Sequence, residues 1–267
     1  LPIEDTDLAE ISKLLSPERL GKLHQLTGNS KAAIEFHQKT LRLGADLMNI
    51  IAAIEIALRN SICDNLGQHF GQAGWLLSPP PPFEWRESEQ KKITAALDSA
   101  RRAEYSKLSQ ADKHALDALA FPKGRPANLP HNLRSKKRRA HIQVTDGKII
   151  AELTFYIWKR LCGPDYEHSL WRPTLKKTFP NKRVKRSDVA DNLEIVYQSR
   201  NRLAHHEPVL HNRFTETIGA IKYIAQHLET RTPSDQTPLF RLIADDVAAA
   251  EASPATLHAE LDAYRTP

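Results

Sequence analysis

Apolar positions recur along most of the chain at spacings of three and four, the period of helices that bury one face, and strand-like alternation is rare. The clearest run is Leu47, Ile51, Ile54, Leu58 and Ile62, spaced four, three, four and four within residues 31–66, which predicts the longest and most buried helix. Ser16 ahead of Pro17 predicts a helix start, Gly28 and Asn29 its end, and Ser30 the cap of the long helix. Pro79 to Pro82 are four consecutive prolines, hence a non-helical linker. Residues 87–107 and 110–119 then read as two surface-heavy helices. Residues 149–161, with Leu153, Ile157 and Leu161 four apart, read as one more, followed by 189–205, 212–228, 239–252 and a short terminal helix over 255–264. The expected fold class is all-α: one helical domain over residues 1–230, with a C-terminal helical extension, 231–267, packed on it.

Charge refines this picture. The 267 residues carry 38 Lys plus Arg against 32 Asp plus Glu, a formal net charge of +6. The excess is local: residues 123–139 hold seven Lys or Arg and no acid, residues 172–186 another seven and no acid, and the remainder is net acidic by eight. Both segments contain prolines and little periodicity, so they read as loop-rich basic inserts. Arg134, Lys136, Lys137, Arg138 and Arg139 in the first, and Lys182, Arg183, Lys185 and Arg186 in the second, are the candidate contacts to an RNA backbone.

Other classes recede. The longest apolar stretch, residues 47–58, contains Asn49 and Glu55 and is well short of the ~20 residues of a membrane span. The opening LPIEDTDLAE has neither the basic start nor the apolar core of a signal peptide. Cys63 and Cys162 sit in apolar helical patterns and read as small buried hydrophobes. A cytoplasmic protein without membrane partner, disulfide or metal is the expectation. Trp158 and Trp171 read as core aromatics.

The chemistry concentrates in LEIVYQSRNRLAHHEPV, residues 193–209. Val189, Leu193, Val196, Arg200 and Leu203 follow spacings of four, three, four and three, which puts Arg200 inside an apolar stripe. A guanidinium there needs an acid, a subunit interface or a ligand. Pro208 disfavours helix at Glu207, so His205 and His206 fall in the last turn, where the helix dipole favours an imidazolium by roughly 0.3–1 kcal/mol. An Arg to hold phosphate and a His to move a proton are the minimum equipment for metal-free RNA cleavage, and a purely structural role for the pair stays open. His206 and His211 match no common zinc spacing. Glu55, Arg59 and Asn60 form a second polar set in the long helix. Either Glu55 and Arg59 pair across one turn and fix its register, or Glu55 orients Arg200, or Arg59 and Asn60 line an RNA cleft.

The run RNRLAHHEP resembles the signature of the Abi-like (abortive infection) proteins of the HEPN superfamily: an Arg, a polar residue after it, and a His a few positions on. LSPERLGKLHQLTGNSKAAIEFHQ, IEIALRNSI, AELTFYIWKRL and the LW–RPTL–FP run at 170–180 are similar to successive blocks of that family in the same order, so the likeness spans about residues 14–228. It implies a HEPN-type helical bundle and a metal-independent endoribonuclease of the toxin type, active in phage defence without cofactor. RNA would be cut by attack of its 2′-hydroxyl. Carried over, Arg200, Asn201 and His205 are catalytic, with His206 as the alternative histidine and Glu55, Arg59 and Asn60 in support. One motif per chain implies a homodimer with a composite site. The other function the likeness allows is a non-catalytic RNA-binding module that works with a small non-coding RNA or an antitoxin-like partner.

Overall fold

The computed structural model describes residues 4–126 and 128–264, and among these there are eleven α-helices, short 3-10 and π turns, and no strand. The helices are α1 (Leu8–Leu15), α2 (Pro17–Thr27), α3 (Ser30–Phe70), α4 (Glu87–Lys107), α5 (Gln110–Ala120), α6 (His131–Arg139), α7 (Asp146–Glu152), α8 (Phe155–Leu161), α9 (Arg186–Ala204), α10 (His211–His227) and α11 (Pro238–Ala263). None is long and apolar enough to cross a membrane.

The long helix is the axis. At 1.5 Å per residue the 41 residues of α3 run about 60 Å. α1, α2, α8, α9, α10, α11 and the 3-10 turn Leu175–Thr178 all pack on it. Its predicted stripe, Leu47, Ile51, Ile54, Leu58 and Ile62, is buried, joined by Ile50 and Leu66. Ser16 caps α2 as expected, its Oγ accepting from the Arg19 N–H at 3.4 Å, and Gly28 closes it with φ +63°. The cap of α3 is Asn29, one residue earlier than predicted. Its extended backbone lets Oδ1 accept from the Ala32 N–H at 3.1 Å, which makes Ser30 the first helical residue.

After α3 the proline linker folds back under Phe70, Trp75, Phe83, Trp85 and Tyr166, whose rings pack on one another. α4 is pinned to this cluster by Glu89, which is fully buried and accepts from the Tyr166 hydroxyl at 2.8 Å and Arg160 Nε at 3.2 Å. Burial pushes that carboxyl up, but the hydrogen bonds from Tyr166, Ser88 and Arg160 outweigh it and hold it below its ordinary value. Trp158 and Trp171 are core residues.

Three elements differ from the sequence expectation. The first basic insert is not only loop: residues 131–139 form α6, because acids on other helices offset its like-charge repulsion. Arg134 and Arg138, one turn apart, both bind Asp117 of α5, and Arg139 faces Asp98 of α4 at 3.6 Å. Residues 149–161 are two helices. Leu153 and Thr154 are extended, so α7 turns Ile149 toward α4 while α8 turns Phe155, Ile157, Trp158 and Leu161 toward α3 and α9. The C-terminal extension is one continuous helix, because Ile243, Val247, Ala250, Leu257 and Leu261 form a single buried face that seats α11 on α3 and α10.

Candidate functional site

α9 carries the motif at its C-terminal end. Its buried stripe is Val189, Leu193, Val196, Ser199 and Leu203, so the residue inside the stripe is Ser199 and not Arg200. The Ser199 hydroxyl is satisfied by the Thr217 hydroxyl of α10 at 2.6 Å. Arg200, one position further round, is half-buried at the edge of the stripe. α9 lies close to α3 here: a Cβ added to Gly44 would meet Leu203 Cδ2 at 3.2 Å.

The helix ends one residue earlier than its histidines suggest. His205 is the C-cap, and His206 lies beyond it in the left-handed region at φ +57°. The Glu207 N–H donates to the Arg202 carbonyl at 2.8 Å and the His206 N–H to the Leu203 carbonyl at 2.9 Å, the paired bonds of a Schellman termination. An Arg202–Glu207 ion pair at 3.1 Å clasps the turn from outside. Arg19 of α2 donates to the His206 carbonyl at 3.2 Å, tying the turn to the N-terminal helices.

Around this rigid end the motif side chains stay unspent. Among the described residues, no hydrogen bond or ion pair within the chain engages the side chain of Arg200, Asn201 or His205. Arg200 acts electrostatically on Glu55 of α3. Burial raises the Glu55 carboxyl, while Arg200, then Arg59 and the Phe155 backbone, pull it back without cancelling the rise. The expected Glu55–Arg59 ion pair is absent among the described residues. The Glu55 carboxylate is shared electrostatically among Arg200, Arg59 and the start of α8, and Arg59 Nε donates instead to Asn60 Oδ1 at 3.3 Å. His205 is exposed and, five residues from Arg200, stands about 140° around the axis at ~100° per residue. One chain therefore points its Arg and its His in different directions.

His206 adjoins residues that no local pattern could reveal. With Leu41, Gly44, Met48, Leu203 and Pro208 it lines an apolar hollow of about 270 Å³ between α3 and the end of α9. The buried His37 lies nearby, and burial first, then the charges of Arg19 and His206, hold its imidazole below the ordinary histidine range. Arg19 and His37 sit well over a hundred residues from the motif, so only the tertiary packing of α2 and α3 against α9 brings them there.

The cations of the basic inserts divide into committed and unpaired ones. Arg138 is 5% exposed and bidentate to Asp117, with a third bond to the Tyr105 hydroxyl; Arg134 shares the same carboxylate, and Arg139 is turned toward Asp98. These three were expected on RNA and instead hold α6 in place. Arg186 is likewise committed, to Glu167 at 2.5 Å and the Cys162 carbonyl at 3.1 Å. Lys136, Lys137, Lys182, Arg183 and Lys185 are exposed and make no ion pair with any described residue. Burial pushes the thiols of Cys63 and Cys162 up to about 12, so neither supplies a nucleophile near neutrality.

Among the described residues no group of three or more His, Cys, Asp or Glu could hold a metal ion. Arg200, Asn201 and His205 thus place a guanidinium, an amide and an imidazole on one helix end, none of them engaged by another described residue through a hydrogen bond or ion pair. No protein-family model, no curated protein and no solved structure matches this chain.

Proposed function

We propose that the protein is a metal-independent endoribonuclease of the abortive-infection type, related to the Abi-like HEPN proteins, that cleaves RNA at a site completed by two copies of the chain. In this mechanism Arg200 binds the scissile phosphate and stabilises the charged phosphorane, and His205 transfers a proton as the ribose 2′-hydroxyl attacks the adjacent phosphorus. Asn201 orients the substrate or the facing motif. The single observation that carries this reading is that Arg200, Asn201 and His205 are unspent within the chain while their neighbours Ser199 and Arg202 are committed. The divergence of Arg200 and His205 supports a composite site, since Arg200 of one copy can face His205 of another. An apolar stripe on α3 supports the second copy. Leu41, Ala45, Met48, Ala52 and Ile56, spaced four, three, four and four, run past the motif, with Leu41 39% and Ile56 49% exposed.

Incubation of the protein with mixed RNA in EDTA tests the reading. Cleavage should persist, and Arg200→Ala and His205→Ala should each abolish it; activity lost on chelation alone would rule the metal-free mechanism out. Sedimentation at micromolar concentration should show a dimer, which Ile56→Glu disrupts together with cleavage. The second reading, an RNA-binding module without cleavage that works with a small RNA or antitoxin, is favoured by the same 140° divergence, which leaves one chain able to grip phosphate but not to complete a reaction centre. It predicts bound RNA and no cleavage at any protein concentration.

A further inference from the structure

A hollow of about 540 Å³ lies at the far end of α9 from the motif, between the 3-10 turn Leu175–Thr178, the loop that follows it and the turn after α10. Lys176, Lys177, Lys182, Arg183 and Arg231 line it, with no carboxylate. Among the described residues none of these five cations has an acid within ion-pair distance. Five arginines elsewhere in the basic inserts are neutralised, Arg134, Arg138 and Arg139 by Asp117 and Asp98 and Arg172 and Arg186 by Glu167, while Lys123, Arg125 and Lys185 make no ion pair with a described residue but do not line a common hollow. Lys136 and Lys137 also lack an acid partner, but the hollow they border includes Asp98.

The cradle is built from fixed backbone. Asn181 Nδ2 donates to the Arg231 carbonyl at 2.7 Å while its Oδ1 accepts from the Arg183 N–H at 2.8 Å, so one side chain joins the two walls. The Glu229 N–H donates to the Thr178 carbonyl at 2.8 Å, a second strut between them. Lys176 Nζ donates to the Asn181 and Val184 carbonyls and holds the loop from below. Its partial burial lowers the ammonium from the ordinary lysine range, and the hollow gives it no counter-ion. Four further cations are thus presented on a tied frame, mutually repelling until an anion arrives.

We propose that this hollow is a binding site for clustered phosphate groups, separate from the motif. α9 separates the two: its 19 residues span about 28 Å, so one phosphate cannot touch both ends. The ligand chemistry is a row of adjacent phosphates, supplied either by a free polyphosphate or by the backbone of an RNA strand. The site does not rest on ribonuclease activity.

Inorganic tripolyphosphate and a fluorescent 16-nucleotide RNA serve as the two probes, titrated against the full chain by calorimetry and by anisotropy over a range of salt. Lys182 and Arg183 are exposed and their side chains hold nothing in place, so Lys182→Gln/Arg183→Gln keeps the fold; circular dichroism checks it. A free polyphosphate as ligand predicts that tripolyphosphate binds and that the double variant weakens it by about tenfold or more. An RNA strand as ligand predicts that the RNA binds at least tenfold more tightly than tripolyphosphate. It also predicts a slope of log affinity against log salt for the RNA that falls by about 1.4 in the variant, two contacts at ~0.7 each. Unchanged binding of both probes overturns the proposal. So does an equal loss in Lys136→Gln/Lys137→Gln, which would reduce the effect to net charge. Neither readout uses cleavage, so an inactive protein leaves the outcome intact.

Discussion

Replacing His206 with Gly should stabilise the protein, and the size of the gain follows from the backbone. His206 holds φ +57°, a conformation that costs an L-residue roughly 1–2 kcal/mol and glycine nothing. Glycine returns about 0.4–1 kcal/mol of that through the greater freedom of the unfolded chain. The Arg19 bond falls on the His206 carbonyl and the two terminating bonds on backbone groups, so all three survive the substitution. The imidazole is exposed and holds no hydrogen bond, so its loss removes little. The net expectation is a gain of about 0.5–1 kcal/mol, which is about 1–3 °C in Tm for a chain of this size. Differential scanning calorimetry reads it directly. A lower Tm in His206→Gly would refute the reasoning, because contact of the ring with the Leu41 and Met48 hollow would then outweigh the strain. The same variant separates the two histidines. Cleavage retained at a raised Tm assigns the proton to His205, whereas cleavage lost at a raised Tm assigns it to His206.

Three further outcomes are expected. Asp117→Ala leaves the buried Arg138 with only the Tyr105 hydroxyl and should cost about 3 kcal/mol, read as faster amide exchange across α6. Asp117→Leu/Arg138→Met should recover most of it, and unchanged exchange in the single variant would show the clamp to be idle. His258 accepts from the His211 N–H at 3.0 Å, and burial, then the neighbouring His211, hold its imidazole below the ordinary range. The unfolded chain takes up that proton near pH 6.5, so stability is present above pH 6.5 and lost as pH falls below it. His37 acts in the same direction and Glu55 in the opposite one. The test is therefore the difference: between pH 7.5 and 5.5 the Tm of His258→Gln should fall less than that of the wild type, and an equal fall would exclude His258. Finally, Arg200→Ala removes the largest charge that counters Glu55, so the Glu55 carboxyl should titrate still higher by carbon-13 NMR; an unmoved Glu55 would mean the two are not neighbours.

What was legible in the sequence was whatever short spacings decide. The α3 stripe, the Ser16 cap, the limits of α4 and the position of the motif on the end of α9 depend on residues within a few positions of one another. The cap at Asn29 and the turn at His206 are local misses, but the larger failures have distant causes. α6 forms because Asp117 and Asp98, on other helices, absorb its charge. Apolar spacing could not show the turn at Leu153 and Thr154, because both halves of 149–161 are buried, against different neighbours. Arg200 and Ser199 are adjacent and only Ser199 faces the core, where the Thr217 hydroxyl of α10, distant in sequence, satisfies it. The catalytic candidates were therefore visible as residues, and the divergence of Arg200 from His205 follows from their five-residue spacing alone, but the place of Arg200 at the edge of the stripe was not visible.

That division extends to the charge. Lysine and arginine are interchangeable in a net charge of +6, but not in this structure. Arg134, Arg138, Arg139, Arg172, Arg186 and Arg202 are all committed to carboxylates, the use that a planar fork of donors suits, whereas Lys136, Lys137, Lys182 and Lys185 face solvent without partners. The positive surface offered to an anionic polymer is mostly lysine, a hydrated point charge on a flexible stem. Such contacts give affinity that falls steeply with salt and carries little geometric selectivity. Several arginines are left without an acid partner, and of those on α9 Arg200 is the one placed beside the half-buried Glu55 carboxylate at a fixed helix end. Under the proposed function, discrimination among RNA targets should therefore reside at the α9 terminus and in whatever faces it. Lys-to-Gln changes in the inserts should weaken all RNA sequences about equally, while changes at Arg200 or Asn201 alter which sequences are favoured. Binding measured across a panel of oligonucleotides separates these. Sequence preference that shifts with Lys136 or Lys182, at constant salt, would place recognition in the inserts instead.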